Sequence, residues 1–153
     1  GGGLQPRGIA LSGILGQATG MGAGLHGGGV MADGTALSGK RILVVEDEAI
    51  VAMLIEDILA DHGAAVVGPA ARIESAMALA EAEAIDAAVL DVNLAGATTA
   101  PVAERLRQRG IPFAFATGYG VSGLPAGFED SLLLQKPFQE RDLTAVLVRT
   151  LAP

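Results

Sequence analysis

Between Arg41 and Leu151, short unbroken apolar runs alternate with longer segments of helical period, and few folds accommodate that rhythm. Arg41-Ile-Leu-Val-Val45 is continuous and β-branched, as a strand buried on both faces requires. Val51, Leu54, Ile55, Ile58 and Leu59 then fall at helical spacing over residues 49–61, with Gly63 as the stop. Residues 65–67 read as a second strand closed by Gly68-Pro69, residues 73–84 as an Ala-rich helix, and residues 86–90 as a third strand. Thr98 or Thr99 is placed to cap the next helix, with Pro101 in its first turn and Gly110 at its end. Residues 111–116 and 132–134 supply two further strands, and residues 139–151 a closing helix. Alternation of this kind predicts a doubly wound α/β domain with a parallel sheet covered on both sides.

Composition agrees with that fold and removes several functions. Aromatic residues make up only 3% of the chain, so the core must be built from Ala, Val, Leu and Ile. A net charge of −7 argues against nucleic acid as a partner, since a phosphate backbone selects a basic surface. The absence of cysteine excludes a disulfide framework, a thiolate zinc site and cysteine catalysis, and it permits the cytoplasmic location expected here.

Residues 1–39 differ in character from the rest. They are Gly-rich and lack hydrophobic period, which predicts a flexible leader or linker ahead of a folded domain over residues 40–153. Met31 suits a natural start, and the same segment suits the tail of a larger protein. Residues 8–32 carry no acid or base, yet their many glycines argue against a membrane span. The Gly16-x-x-x-Gly20-x-x-x-Gly24 spacing carries little meaning outside a strongly apolar helix.

The polar residues converge. Glu46 and Asp47 follow the first strand, Asp91 ends the third, Thr117 ends the fourth, and Lys136 lies just beyond the fifth. In an open parallel sheet, ligands bind outside the carboxyl ends of the strands, where the strand order reverses. Three carboxylates there repel, at about 4 Å and an effective dielectric near 20, by on the order of 4 kcal/mol per pair. Raised pKa values or a bound cation must relieve that, and hard oxygen donors without His or Cys favour Mg²⁺. Lys136 offers a point charge for an anion, and Thr117 a hydroxyl donor. An aspartate in such company suits phosphoryl transfer. Each residue alone has an ordinary explanation: helix-dipole charges for Glu46 and Asp47, a cap for Asp91, a turn former in Thr117 and a solvated lysine in Lys136. What those explanations miss is the common edge. His62 falls near a helix C-terminus and is given no function.

On these motifs the chain resembles the receiver domains of two-component signalling, through Val44-Val-Glu-Asp-Glu48, Val89-Leu-Asp-Val-Asn93, Ala116-Thr-Gly118 and Lys136-Pro-Phe138. The resemblance spans about residues 40–151. It implies a flavodoxin-like (βα)5 fold with five parallel strands in the order 2-1-3-4-5. It also implies that Asp91 is the phosphoacceptor and that Glu46, Asp47 and the Asn93 backbone carbonyl hold Mg²⁺ with it. Thr117 would hydrogen-bond the phosphoryl group, Lys136 would pair with it, and the Lys136–Pro137 peptide is expected to be cis. Pro112-Phe-Ala-Phe-Ala-Thr-Gly-Tyr119 further resembles the signature of the FAT GUY receivers, typical of alphaproteobacteria and associated with HWE-type and related histidine kinases. Such receivers occur alone or fused to kinases, and the Gly-rich leader suits the linker of a fusion.

Two departures from the family pattern bear on mechanism. Leu133 stands where receivers usually carry an aromatic switch residue, three positions before the lysine. Residues 118–131 hold Gly118, Gly120, Gly123, Pro125 and Gly127, so a short or mobile helix or a loop is expected in place of a regular fourth helix. Ordering of that segment is the expected substitute for aromatic rotation. The expected function is a regulatory phosphoacceptor served by a histidine kinase or a histidine phosphotransfer protein, with no output domain after Leu151 and signalling by protein contact. An aspartyl phosphatase is disfavoured because Asn93 occupies the place of a general acid two residues after Asp91. A receiver-like binding module that is never phosphorylated is the remaining alternative.

Overall fold

The computed structural model describes residues 35–153, so the leader reading lies almost wholly outside the described residues. Strand β1 (Arg41–Val45) leads to α1 (Ala49–Asp61), β2 (Ala65–Ala70) to α2 (Ile73–Ala82), and β3 (Ala87–Asp91) to a two-stranded hairpin. The hairpin strands are β4 (Asn93–Leu94) and β5 (Ala97–Thr98), after which come α3 (Ala100–Gln108) and β6 (Phe113–Thr117). A 3₁₀ turn (Gly120–Gly123), β7 (Leu132–Gln135) and α4 (Glu140–Leu151) complete the domain.

The sheet is wholly parallel in the order β2-β1-β3-β6-β7. Counting only its five strands, that is the expected 2-1-3-4-5 order. The hairpin was not foreseen, and it forms a separate antiparallel pair.

Side chains alternate between two cores along each strand, as strand geometry dictates. Leu43, Val45, Ala88, Leu90 and Phe115 face one core with Ala76 and Ala80 of α2 and Val102 and Leu106 of α3. Ile42, Val44, Ala87, Val89, Ala114 and Ala116 face the other, with Ile55, Ile58 and Leu59 of α1 and Leu143, Val146 and Leu147 of α4. Leu37 is fully buried in this second core, three residues ahead of the boundary expected at Lys40, and the Gly39 N–H donates to the Gly63 carbonyl. Leu54 is 44% exposed beside the more exposed Ile50 and Met53, so α1 buries a narrower face than its apolar pattern suggests.

Several boundaries follow local chemistry. β2 continues through Pro69 to Ala70, where a terminator was expected, because an edge strand tolerates a residue that cannot donate. A reciprocal capping box between Gln139 and Asp142 starts α4. His62, at the C-cap of α1, pairs through Nε2 with Glu140 Oε2 at 3.1 Å, tying that helix to the first turn of α4. Among the described residues, no helix is long and apolar enough to cross a membrane.

Candidate functional site

The carboxyl edge of the sheet collects the predicted residues because the strands run in register. Val45 is level with Leu90, Asp91 with Ala116, and Thr117 with Gln135, so the residues that follow each strand emerge together. Glu46, Asp47 and Asp91 each bring a carboxylate oxygen within 4.8 Å of the other two. Glu46 is buried, Asp91 half-buried and Asp47 exposed.

Lys136 is the cation of this cluster. Its Nζ donates to Glu46 Oε1 at 2.8 Å and lies 3.4 Å from Asp91 Oδ2 and 3.8 Å from Glu48 Oε1. The other Glu46 oxygen accepts the Glu48 N–H, so the buried carboxylate is held from both sides. Glu46 thus does more than complement a helix dipole. The Lys136–Pro137 peptide is cis, as expected.

One ammonium among three carboxylates leaves the cluster short of positive charge. Burial, and then repulsion from Glu46, push the Asp91 carboxyl up to about 6 despite the attraction of Lys136. Burial by itself would depress the Lys136 ammonium, but its hydrogen bond to Glu46 and the nearby Asp91 charge more than offset this and raise it. Crowded hard oxygen donors with uncompensated charge fit a divalent cation of the Mg²⁺ type.

Thr117 closes the site on the β6 side. It is buried, its Oγ1 accepts the Tyr119 N–H at 3.1 Å, and among the described residues the hydroxyl donates to no group. Gly123 presses on it: a Cβ there would stand 2.8 Å from Thr117 Oγ1 and 3.0 Å from the Tyr119 Cβ. The 3₁₀ turn therefore lies directly over the threonine, and only glycine fits.

The hairpin supplies what sequence reasoning missed. Asn93 lies in β4, paired with Thr98, while Ala95 (φ 49°) and Gly96 (φ 87°) form the tip. Two successive positive φ values belong to a two-residue turn of type I′. The Ala95 N–H donates to Asp47 Oδ2 at 3.0 Å, so the turn reaches across to the acidic pair. Asn-Gly would have announced such a turn; Ala-Gly does not. Of the two expected caps, Thr98 accepts the Ala100 N–H on its Oγ1 at 3.2 Å, whereas Thr99 holds the N-cap position but its hydroxyl makes no bond to the first turn of α3 and points back to β3.

The segment after Thr117 contains no α-helix, as its glycines predict. It is pinned at its far end, where Phe128 is buried against Phe113 and Phe115 with ring centroids 5.9 and 5.7 Å away. Arg107 of α3 stacks its guanidinium 4.1 Å from the Phe128 centroid and donates to the Gly127 carbonyl. Leu133 packs against the same core, so no aromatic ring stands at that position.

Known proteins resemble this chain over most of its described residues. The model of the response regulator receiver domain matches residues 42–148. The transcriptional regulatory protein TcrA of Mycobacterium tuberculosis is 36% identical over 118 residues, covering 72% of this chain and 46% of TcrA. This chain spans only about half the length of the mycobacterial regulators it matches. The solution structure of SdrG from Sphingomonas melonis Fr1 is 42% identical with a TM-score of 0.67, covering 76% of this chain and 98% of SdrG. SdrG in its BeF3-activated conformation is 41% identical with a TM-score of 0.65, covering 75% of this chain and 98% of SdrG. With the acidic edge, the lysine and the parallel sheet all accounted for by one family over more than half its length, this chain belongs to the response-regulator receiver domains of two-component systems.

Proposed function

We propose that Asp91 accepts a phosphoryl group from the phosphohistidine of a histidine kinase or a histidine phosphotransfer protein. The observation that carries this reading is the Lys136 ammonium set between buried Glu46 and Asp91 at the ligand-binding edge of the sheet. An Asp91 oxygen attacks phosphorus, the P–N bond breaks, an acyl phosphate forms, and the imidazole leaves with a proton. Glu46, Asp47, Asp91 and the Asn93 carbonyl would hold Mg²⁺, which supplies positive charge opposite the phosphoryl oxygens. Lys136 neutralises the phosphoryl group from the side, and Thr117 has a hydroxyl proton available for it.

The domain acts in this reading as a cytoplasmic regulatory phosphoacceptor rather than as an enzyme turning over small phosphoesters. Its output passes through protein contact. The Pro112–Tyr119 motif supports a FAT GUY receiver served by an HWE-type or related kinase. That SdrG has a BeF3-activated conformation supports a phosphoryl-dependent switch of the same kind here.

Intact mass after incubation with a small acyl phosphate, with and without Mg²⁺ and beside Asp91→Asn, tests the reading. One Mg²⁺-dependent phosphoryl adduct, absent in the variant, is the expected result. No adduct under any condition favours the phosphorylation-independent binding module.

A further inference from the structure

Thr99 is fully buried, although it is a polar residue at a helix start where the hydroxyl would ordinarily cap the helix. Instead its Oγ1 lies 2.6 Å from the Asp91 carbonyl oxygen and 3.1 Å from that of Val92, donating toward both. The Thr99 N–H also donates to the Val92 carbonyl at 2.8 Å. One side chain thus fixes two consecutive peptide units, the first of them belonging to the phosphoacceptor itself.

Its position in the chain gives that contact leverage. Asp91 ends β3, and Thr99 begins α3 directly after the hairpin. The bond to Thr99 therefore ties the two legs of the hairpin together at its base, while Ala95 N–H on Asp47 ties the tip to the acidic pair. Asn93, whose carbonyl is assigned to the metal in the reading above, lies between those two anchors. The Val92 N–H donates to the Ala116 carbonyl, so the anchored strand end is also locked to β6.

The geometry points to Thr99 as the positioning residue of the phosphoacceptor site, holding the Asp91–Asn93 backbone so that the Asp91 carboxylate and the Asn93 carbonyl converge on one cation. This rests on the function proposed above and goes beyond it, because Thr99 touches neither the metal nor the phosphoryl group. A valine there keeps the shape and removes the hydroxyl, so the Asp91 carbonyl loses that donor while the Val92 carbonyl keeps the backbone N–H of residue 99. A serine keeps the donor. Groups that orient metal ligands from behind typically change affinity by about tenfold or more when removed.

The experiment compares the parent, Thr99→Val and Thr99→Ser by calorimetric Mg²⁺ titration, by the rate of phosphoryl adduct formation, and by thermal midpoint without metal. Mg²⁺ affinity and adduct rate should fall about tenfold in Thr99→Val and return to near the parent values in Thr99→Ser. A Thr99→Val protein that binds Mg²⁺ as the parent does overturns the inference, whatever its thermal midpoint. So does an equal loss in Thr99→Ser. Should Thr99→Val not fold, Thr99→Cys replaces it as the weak-donor variant, and parent-like Mg²⁺ affinity there likewise overturns the inference. A parent that binds Mg²⁺ but accepts no phosphoryl group defeats the proposed function, while the calorimetric comparison still decides the role of Thr99.

Discussion

At the scale of single residues, the hairpin tip is the point of strain. Ala95 holds φ at 49°, a conformation that costs an L-residue with a Cβ about 1 kcal/mol or more. The strain is retained where the Ala95 N–H meets Asp47. Ala95→Gly removes the Cβ but adds chain entropy to the unfolded state, so a net stabilisation of about 0.5 kcal/mol is expected in urea denaturation. Destabilisation by the same amount would mean that the Ala95 methyl makes contacts outweighing its backbone conformation. The sequence showed Glu46, Asp47, Asp91, Thr117 and Lys136 readily, because each follows a recognisable strand. It concealed Thr99, since a threonine before a helix looks like a cap, and only the tertiary fold shows where its hydroxyl points.

At the scale of elements, the segment between β6 and β7 divides into two halves of different firmness. Its far half is anchored by Phe128 in the core, with the Phe128 N–H donating to the Pro125 carbonyl and the Ser131 N–H to the Phe128 carbonyl. The near half rests on Thr117 through Tyr119 N–H and the close approach of Gly123. A threonine that turns its hydroxyl toward a phosphoryl group alters the surface on which the 3₁₀ turn sits. Amide exchange on adding beryllofluoride with Mg²⁺ should therefore change across Gly118–Leu124 and stay nearly constant at Phe128 and Ser131. Exchange unaltered over the whole segment would remove this turn as the two-state element. Pattern reading found the five strands and four helices because long periodic segments announce themselves. It overlooked β4 and β5, whose two residues each are too few to show a period, and it stopped β2 early at a Gly-Pro pair that an edge strand accommodates.

At the scale of the whole molecule, the acidic edge sets the pH dependence of folding. Asp91 titrates near 6 in the folded, metal-free domain and near 3.8 when unfolded, so the folded form is the better proton binder between those values. The stability this contributes is complete below about pH 4 and is lost as pH rises through about 6. The thermal midpoint of the metal-free domain should therefore fall between about pH 4 and about pH 7, and Asp91→Asn should flatten that slope. Millimolar Mg²⁺ should raise the midpoint more at the higher pH, where the cluster carries its full charge. A midpoint independent of pH in the parent would contradict the crowding of carboxylates seen here. Leu37 shows where pattern alone falls short at this scale, because one apolar residue beside a Gly-rich stretch has no period to reveal that it belongs to the core. The middle of the sheet carries a different consequence. Ala87 of β3 and Ala114 and Ala116 of β6 are all essentially inaccessible and face the same core, so these neighbouring strands meet α1 and α4 in part through single methyl groups. Any enlargement there must push a helix away from the sheet. Added volume is thus expected to be tolerated at the exposed positions of α1 and in the turn beyond β6, such as Ile50, Met53, Tyr119 and Val121, and to be costly at these small central residues.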